Sequence, residues 1–357
     1  MKKRFGSVKE NGFLSVFEHF ADTYKWLLIT IVGALLLYAP NFKFMTPANM
    51  RITTMIILYA MLGMGLNVLT GYAGLVSLGH AGFYGIGAYA CALAMTKLGW
   101  SFWPSLAAAA CFAALIGFLL GLPTLRLSGT YLSIVTLGFC EIVQMILKQW
   151  ESVTNGNYGI RNIPKPYLFG IKLDMRTGGL FYLVLALCVL TGLACLSVKN
   201  SKSGRAFLAI KDEELAASMM GIHTSRYKIL AFVISAFITG LAGGLYVVIS
   251  NNYIEPSSFM FNTSIMILSV VIVGGLGTVR GMVFGSTLLW LFPQAFRFLN
   301  EWRFVIYGVL LVLMMRFRPQ GALGWQSMLP FRLSREAKKL LREKGLVRFI
   351  PHNGKEG

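Results

Sequence analysis

Charge is scarce in this chain. Asp, Glu, Lys and Arg make up 13% of its 357 residues, against about 25% in soluble domains. That polar fraction cannot clothe the two water-facing domains that the length alone would allow, which argues against a globular enzyme. Catalytic signatures are missing as well: there is no G-x-x-x-x-G-K-[ST] phosphate loop, no H-E-x-x-H and no G-x-S-x-G. The four histidines, His19, His80, His223 and His352, are too scattered for a metal cluster. The five cysteines, Cys91, Cys111, Cys140, Cys188 and Cys195, fall in apolar runs without C-x-x-C spacing. They read as small buried hydrophobes rather than a disulfide framework or zinc site. Acids are rare inside the apolar runs, where only Glu141 sits well inside.

What is present is grease and positive charge: 56% hydrophobic residues and a net charge of +19. Such a chain is either a nucleic-acid binder with a large core or a membrane protein with positive loops. Ile52–Thr70, Ala81–Leu98, Phe102–Leu122, Leu180–Val198 and Ile229–Ile249 each approach or reach the ~20 residues that cross ~30 Å of hydrocarbon. Weaker or broken runs are Trp26–Tyr38, Thr130–Leu147, Phe261–Val273, Met282–Phe298 and Trp302–Phe317. Any one run could be a buried core helix, but ten cannot, because too little polar sequence remains to cover them. With ten spans and both termini inside, the inner segments hold 23 of the 33 basic residues, as the positive-inside rule requires. Trp26, Trp100, Trp103, Trp150 and Trp302 fall near span ends, where interfacial aromatics belong. The +19 is therefore a topology signal, and no nucleic-acid partner is expected.

The expected fold is all-α: a polytopic transmembrane helical bundle of about ten spans, with Gly-rich helix breaks and cytoplasmic N and C termini. Residues 1–24 form a cytoplasmic N-terminal segment, without a cleavable signal peptide. Residues 25–317 form the transmembrane domain, with an external loop over 149–179 and a cytoplasmic loop over 199–228. Residues 318–357 form a basic cytoplasmic tail.

Three inter-span stretches carry more than connectivity. GLNVLTGYAGLVSLGHAGFYGIGAY (65–89) holds seven glycines with Asn67, Ser77 and His80, a composition suited to close helix packing or to a broken helix lining a watery cavity. GGLGTVRGMVFG (274–285) echoes it faintly, GL-x-T-V against GL-x-S-L, and paired Gly-rich interruptions mark transporters built from repeats. The inner loop 199–228 reads as one amphipathic helix from Gly204 to Met220, stopped by Gly221. Both charge signs flank its apolar stripe, which suits a groove in a protein better than a lipid surface. The outer loop holds NGNYGIRNIPKPYLFG (155–170), a turn-rich segment fit to dock an external partner. With neither a phosphate loop nor a set of intramembrane ionisable groups, energy would enter through another subunit at 199–228.

These stretches, together with GFLLGLPTLRLSGTYLSIVTLGFCEIV (117–143), SGRAFLAIKDEELAASMMGI (203–222) and KILAFVISAFITGLAGGLY (228–246), resemble the membrane permease subunits of branched-chain amino-acid ABC importers, of the LivM type. The matches run from about residue 52 to 320. The resemblance implies a bacterial inner (plasma) membrane importer core and no enzyme activity in this chain. Its implied partners are a second, homologous permease, two cytoplasmic ATPase subunits that bind ATP and Mg, and a periplasmic solute-binding protein. It also implies that Gly204, Arg205, Asp212, Glu213, Glu214, Ala217 and Gly221 belong to the ATPase-coupling loop. Glu214, Ala217 and Gly221 would be remnants of the EAA signature, with Leu215 in place of its first alanine. Polar groups in spans or breaks, Asn67, Ser77, His80, Thr136 and Glu141, are the substrate-pathway candidates, Glu141 as partner for a substrate ammonium. Asn155, Asn157 and Tyr158 are the candidates for docking the binding protein. Related permeases of urea, amide or sugar importers share these segments, and a stand-alone ion-coupled carrier is the reading from another class.

Overall fold

In the computed structural model the described residues are 47–295, except 126, 128, 169–170, 175–177 and 251, together with 305, 308–309, 312–314, 316 and 321–322. The N-terminal segment 1–24, the run Trp26–Tyr38, most of Trp302–Phe317 and nearly all of the tail lie outside the described residues. The chain is helical: α1 Pro47–Leu66, α2 His80–Thr96, α3 Phe102–Thr124, α4 Gly129–Gln149 and the short α5 Glu151–Thr154. They are followed by α6 Gly179–Asn200, α7 Lys202–Asp212, α8 Glu214–Met219, α9 Thr224–Ile249, α10 Phe261–Gly274 and α11 Val279–Ala295. A two-residue hairpin pairs β1 Tyr167–Leu168 with β2 Ile171–Lys172.

Five helices are long and apolar enough to cross a membrane: Asn49–Tyr72, Phe102–Thr124, Gly129–Gln149, Gly179–Asn200 and Thr224–Ile249. Phe261–Gly274 and Val279–Leu291 are shorter apolar helices. The run Ala81–Leu98 forms α2, 17 residues long, or ~25 Å at 1.5 Å per residue. Protein encloses most of α2, so it packs as a core helix. Small residues make that enclosure possible. A Cβ on Gly87 would sit 2.3 Å from the Gly240 carbonyl oxygen, and one on Gly243 would sit 2.3 Å from that of Tyr84. The backbones of α2 and α9 are thus in direct contact, the device by which membrane helices associate without a hydrophobic driving force between them. The outer faces of α3, α4 and α6 carry exposed Phe112, Leu119, Ile134, Ile142, Val189 and Leu193, the apolar surface a lipid or protein neighbour would cover. Four cysteines are buried as expected, but Cys111 is exposed on α3, because its helix turn faces outward.

Both Gly-rich stretches are breaks. After α1 the helix widens into a π segment, Asn67–Tyr72, then leaves helical geometry at Gly74, φ +73°. After α10 the chain turns through Gly275 and Gly277, φ +119° and +82°, before α11 begins. The aligned glycines of the two echoes, Gly74 and Gly275, therefore share a left-handed backbone. The breaks touch, since the Gly277 N–H donates to Asn67 Oδ1 at 2.8 Å.

Connections gather at two ends of the bundle. At one end, α7 packs beside the first break, with Lys211 Nζ donating to the Gly71 carbonyl. At the other, Ile160 bridges to Ile254, Lys97 Nζ donates to the Ser152 carbonyl and Trp103 Nε1 to that of Tyr167. Exposed Trp100, Trp103 and Trp150 cluster at this second end. The single amphipathic helix expected from Gly204 to Met220 is two helices, because Glu213 adopts an extended conformation, φ −159° and ψ 108°. The kink lets Glu214 reach Lys228 on α9 and buries Ala217, contacts a straight continuation of α7 would forgo.

Candidate coupling and translocation sites

The α7–α8 segment is anchored on one side and open on the other. Ser201 caps α7 by accepting the Gly204 N–H at 3.2 Å. A Cβ on Gly204 would meet the Lys199 and Val198 carbonyl oxygens, so the tight α6–α7 turn requires glycine. Phe207 and Ile210 are buried, Phe207 against Tyr227, whereas Arg205, Asp212 and Glu213 are exposed. Lys211 lies beside them with its ammonium turned in toward the break. Burial pushes its pKa below the ordinary lysine value, against the opposing pull of Asp212. α8 ends in a paired cap: Ile222 N–H donates to Ala217 and Gly221 N–H to Ser218, with Gly221 at φ +81°. This cap presents Leu215, Met219 and Met220, each at least 65% exposed, as an apolar knob beside Asp212 and Glu213.

Asn67, Ser77, His80 and Thr136 are all buried inside the subunit. Three of them meet at the first break. His80 Nε2 lies 2.7 Å from Ser235 Oγ and Nδ1 lies 3.2 Å from Ser77 Oγ. Ser235 directs its own hydroxyl hydrogen to the Gly65 carbonyl, so the bond to His80 requires Nε2–H, and Nδ1 accepts from Ser77. Thr136 Oγ1 accepts the Leu78 N–H at 3.0 Å. Asn67 stands apart, tying the two breaks together through Gly277. These bonds satisfy backbone and side-chain polar groups that leave regular helix in an apolar surround.

Glu141 is elsewhere. It lies on the exposed face of α4 with Tyr131, Ile134, Ile142 and Met145, and has no ion-pair partner among the described residues. A groove lined by Ile142, Met145, Ile146, Gln149 and Trp150 runs along the same face. At the far end, Asn155 takes a left-handed conformation, φ +65°, and its amide donates to the Gly159 carbonyl. Asn157 and Tyr158 project from the turn that follows, and the Arg161 guanidinium lies 5.3 Å over the Tyr253 ring. The outer loop is thus ordered by its own bonds.

Residues 49–315 match the family described as the branched-chain amino acid transport system permease component. The chain belongs to that family. It is 39% identical over 313 residues to the high-affinity branched-chain amino acid transport system permease protein LivM of Escherichia coli strain K12, a match covering 81% of this chain and 73% of the relative. It is 25% identical over 289 residues to the LivH permease protein of Salmonella typhimurium, covering 74% and 91%. It is also 25% identical over 153 residues to the fructose import permease protein FrcC of Rhizobium meliloti, covering 41% of each. No solved structure matches. This permease is a multi-pass protein of the inner membrane and serves as the membrane component of an ABC importer.

Several residues that organise the permease had no distinguishing mark in the sequence. Lys199, Lys211 and Lys228 look like members of a positive inner loop, and their individual contacts depend on folding. Ser235 and Ser264 are short hydroxyls in apolar helices, and only the approach of α2 to α9 and α10 makes them partners of His80 and of the Ala81 N–H.

Proposed function

We propose that this permease forms, with a second homologous permease, the path by which branched-chain amino acids cross the inner membrane. Two cytoplasmic ATPase subunits would bind ATP and Mg, this chain holding no cofactor, and a periplasmic solute-binding protein would deliver substrate. The observation that carries the reading is the α7–α8 segment, fixed to the bundle on one face while it offers Leu215, Met219 and Met220 with Asp212 and Glu213 on the other. An apolar knob rimmed by acids fits a protein groove. The 23 of 33 basic residues that a ten-span topology assigns to the α7–α8 side support a cytoplasmic position for that knob and for both termini. The domain bounds 1–24, 25–317 and 318–357 follow from the same topology, and Asn155, Asn157 and Tyr158 then face the binding protein.

Glu141 supports an intersubunit path. A charged carboxylate facing lipid at mid-membrane costs about 2.5–3.5 kcal/mol, so the exposed face of α4 is one that protein or water covers. We place the path there, Glu141 receiving the substrate ammonium, with Asn67, Ser77, His80 and Thr136 holding the breaks beside it in shape. Closure of the ATPases would move α7–α8 and shift the balance between inward- and outward-facing states by its differential free energy.

The test is reconstitution of the permease with its partner permease, ATPases and binding protein. Leu215→Asp with Met219→Asp is expected to abolish co-purification of the ATPases while the permease pair stays assembled; undiminished co-purification refutes the docking assignment. Leucine uptake in the wild-type complex tests the substrate. Uptake of fructose instead of leucine would establish the sugar-importer reading that the similarity to the FrcC permease keeps in view.

A further inference from the structure

Two lysines on either side of the Ser201 cap grip the two helix breaks. Lys211 Nζ on α7 donates to the Gly71 carbonyl at 2.8 Å, in the last turn of the π segment. Lys199 Nζ at the end of α6 donates to the Gly277 carbonyl at 3.1 Å and lies 5.9 Å over the Tyr72 ring. The Gly71 carbonyl lies in the last turn of a helical segment, where carbonyls lack internal partners and a cation complements the dipole, whereas Gly277 lies in the turn between α10 and α11. The contact with α7 is close at Lys211, since a Cβ on Gly74 would fall 2.9 Å from Lys211 Cγ and 3.2 Å from its Cα. The circuit closes through Asn67, which accepts the Gly277 N–H. π segments inside helices recur at functional sites, and here the widened turn is the part of α1 that α7 holds.

We propose that Lys211 on α7 and Lys199 at the α6 end of the α6–α7 turn are positioning residues that carry displacement of this turn and α7 to both Gly-rich breaks at once, so that the α1–α2 and α10–α11 pairs respond together to the ATPases. The inference rests on α7–α8 being the ATPase-docking segment. It adds the route by which movement leaves that segment: α7 to Gly71, Gly71 to Asn67 within the π segment, Asn67 to Gly277, and Gly277 back to Lys199. Backbone carbonyls are the acceptors at both ends, so the link depends on main-chain position and transmits rigid-body movement.

The experiment uses the complete complex in proteoliposomes and reads leucine taken up per ATP hydrolysed. Lys211→Met with Lys199→Met is expected to lower that ratio about five- to tenfold, the lower range of site-to-site couplings. Lys211→Arg, which keeps a cationic donor, is expected to recover much of the loss in the Lys211→Met variant. An unchanged ratio in the double variant overturns the link. Should the double variant fail to assemble, spin labels on Arg205→Cys and Arg280→Cys in a Cys111→Ser background give the second measurement. Their separation is expected to stay constant with and without nucleotide, and a change of a helical rise or more overturns the link. The two failures are distinguishable. Loss of the ATPases in the Leu215/Met219 variant, with an unchanged ratio in the lysine variant, removes the link alone. Retention of the ATPases in the former removes the docking assignment beneath it.

Discussion

Replacing Glu214 by Gln tests the contact made at the kink of the α7–α8 segment. Lys228 is 4% exposed, and its Nζ lies 2.5 Å from Glu214 Oε1, a carboxylate whose side chain is 42% exposed. Removing one partner of a fully buried pair strands the other charge at a cost of about 3–5 kcal/mol. Water reaches this pair from the Glu214 side, which roughly halves the penalty, to about 1.5–2.5 kcal/mol. Lys228→Met leaves a carboxylate that can rehydrate, so it is expected to cost under about 1 kcal/mol. The double variant removes the stranded ammonium and should recover most of the Glu214→Gln loss, giving a coupling energy of about 1–2 kcal/mol. Unfolding by SDS titration in mixed micelles measures all four corners of the cycle. Strictly additive losses, or a Glu214→Gln variant as stable as wild type, would refute the assignment of Glu214 as the anchor of Lys228. In the reconstituted complex, Glu214→Gln should also lower uptake per ATP, because α8 loses its tie to α9.

Two further outcomes are expected. Gly243→Ala places a Cβ 2.3 Å from the Tyr84 carbonyl oxygen and 2.7 Å from the Ala88 nitrogen, so it should cost about 1–3 kcal/mol in the same titration, whereas Gly138→Ala, which meets nothing within 4 Å, should be neutral in the isolated permease. Glu141→Gln should reduce leucine uptake about tenfold, the effect of losing about 1.4 kcal/mol of substrate interaction, while the second permease still co-purifies; an unchanged rate and pH profile would remove Glu141 from the path.

Composition and periodicity determined the class of this protein. A chain with 13% charged residues and repeated apolar runs has to bury its backbone polar groups within helices, and among the described residues helices occupy eight of the expected runs, from Ile52–Thr70 to the part of Met282–Phe298 up to Ala295. Glycine density marked both breaks, since only glycine adopts the left-handed backbone of Gly74 and Gly275 without strain. The α7–α8 segment stood out in the sequence through Asp212–Glu214, acids set in an otherwise basic loop. Tertiary structure alone decided which of these parts meet. Sequence patterning could not show that Ala81–Leu98 is enclosed by protein, because a core helix and a lipid-facing helix are equally apolar. Nor could it separate Glu141 on an open face from Asn67, Ser77, His80 and Thr136 in the interior, since the direction of a polar side chain depends on neighbours far away in the chain. The kink at Glu213 has the same origin: Lys228 lies fourteen residues beyond Glu214, and their pairing exists only once α9 is packed. Local chemistry made the helices and their breaks, and long-range packing chose the few polar contacts that join them.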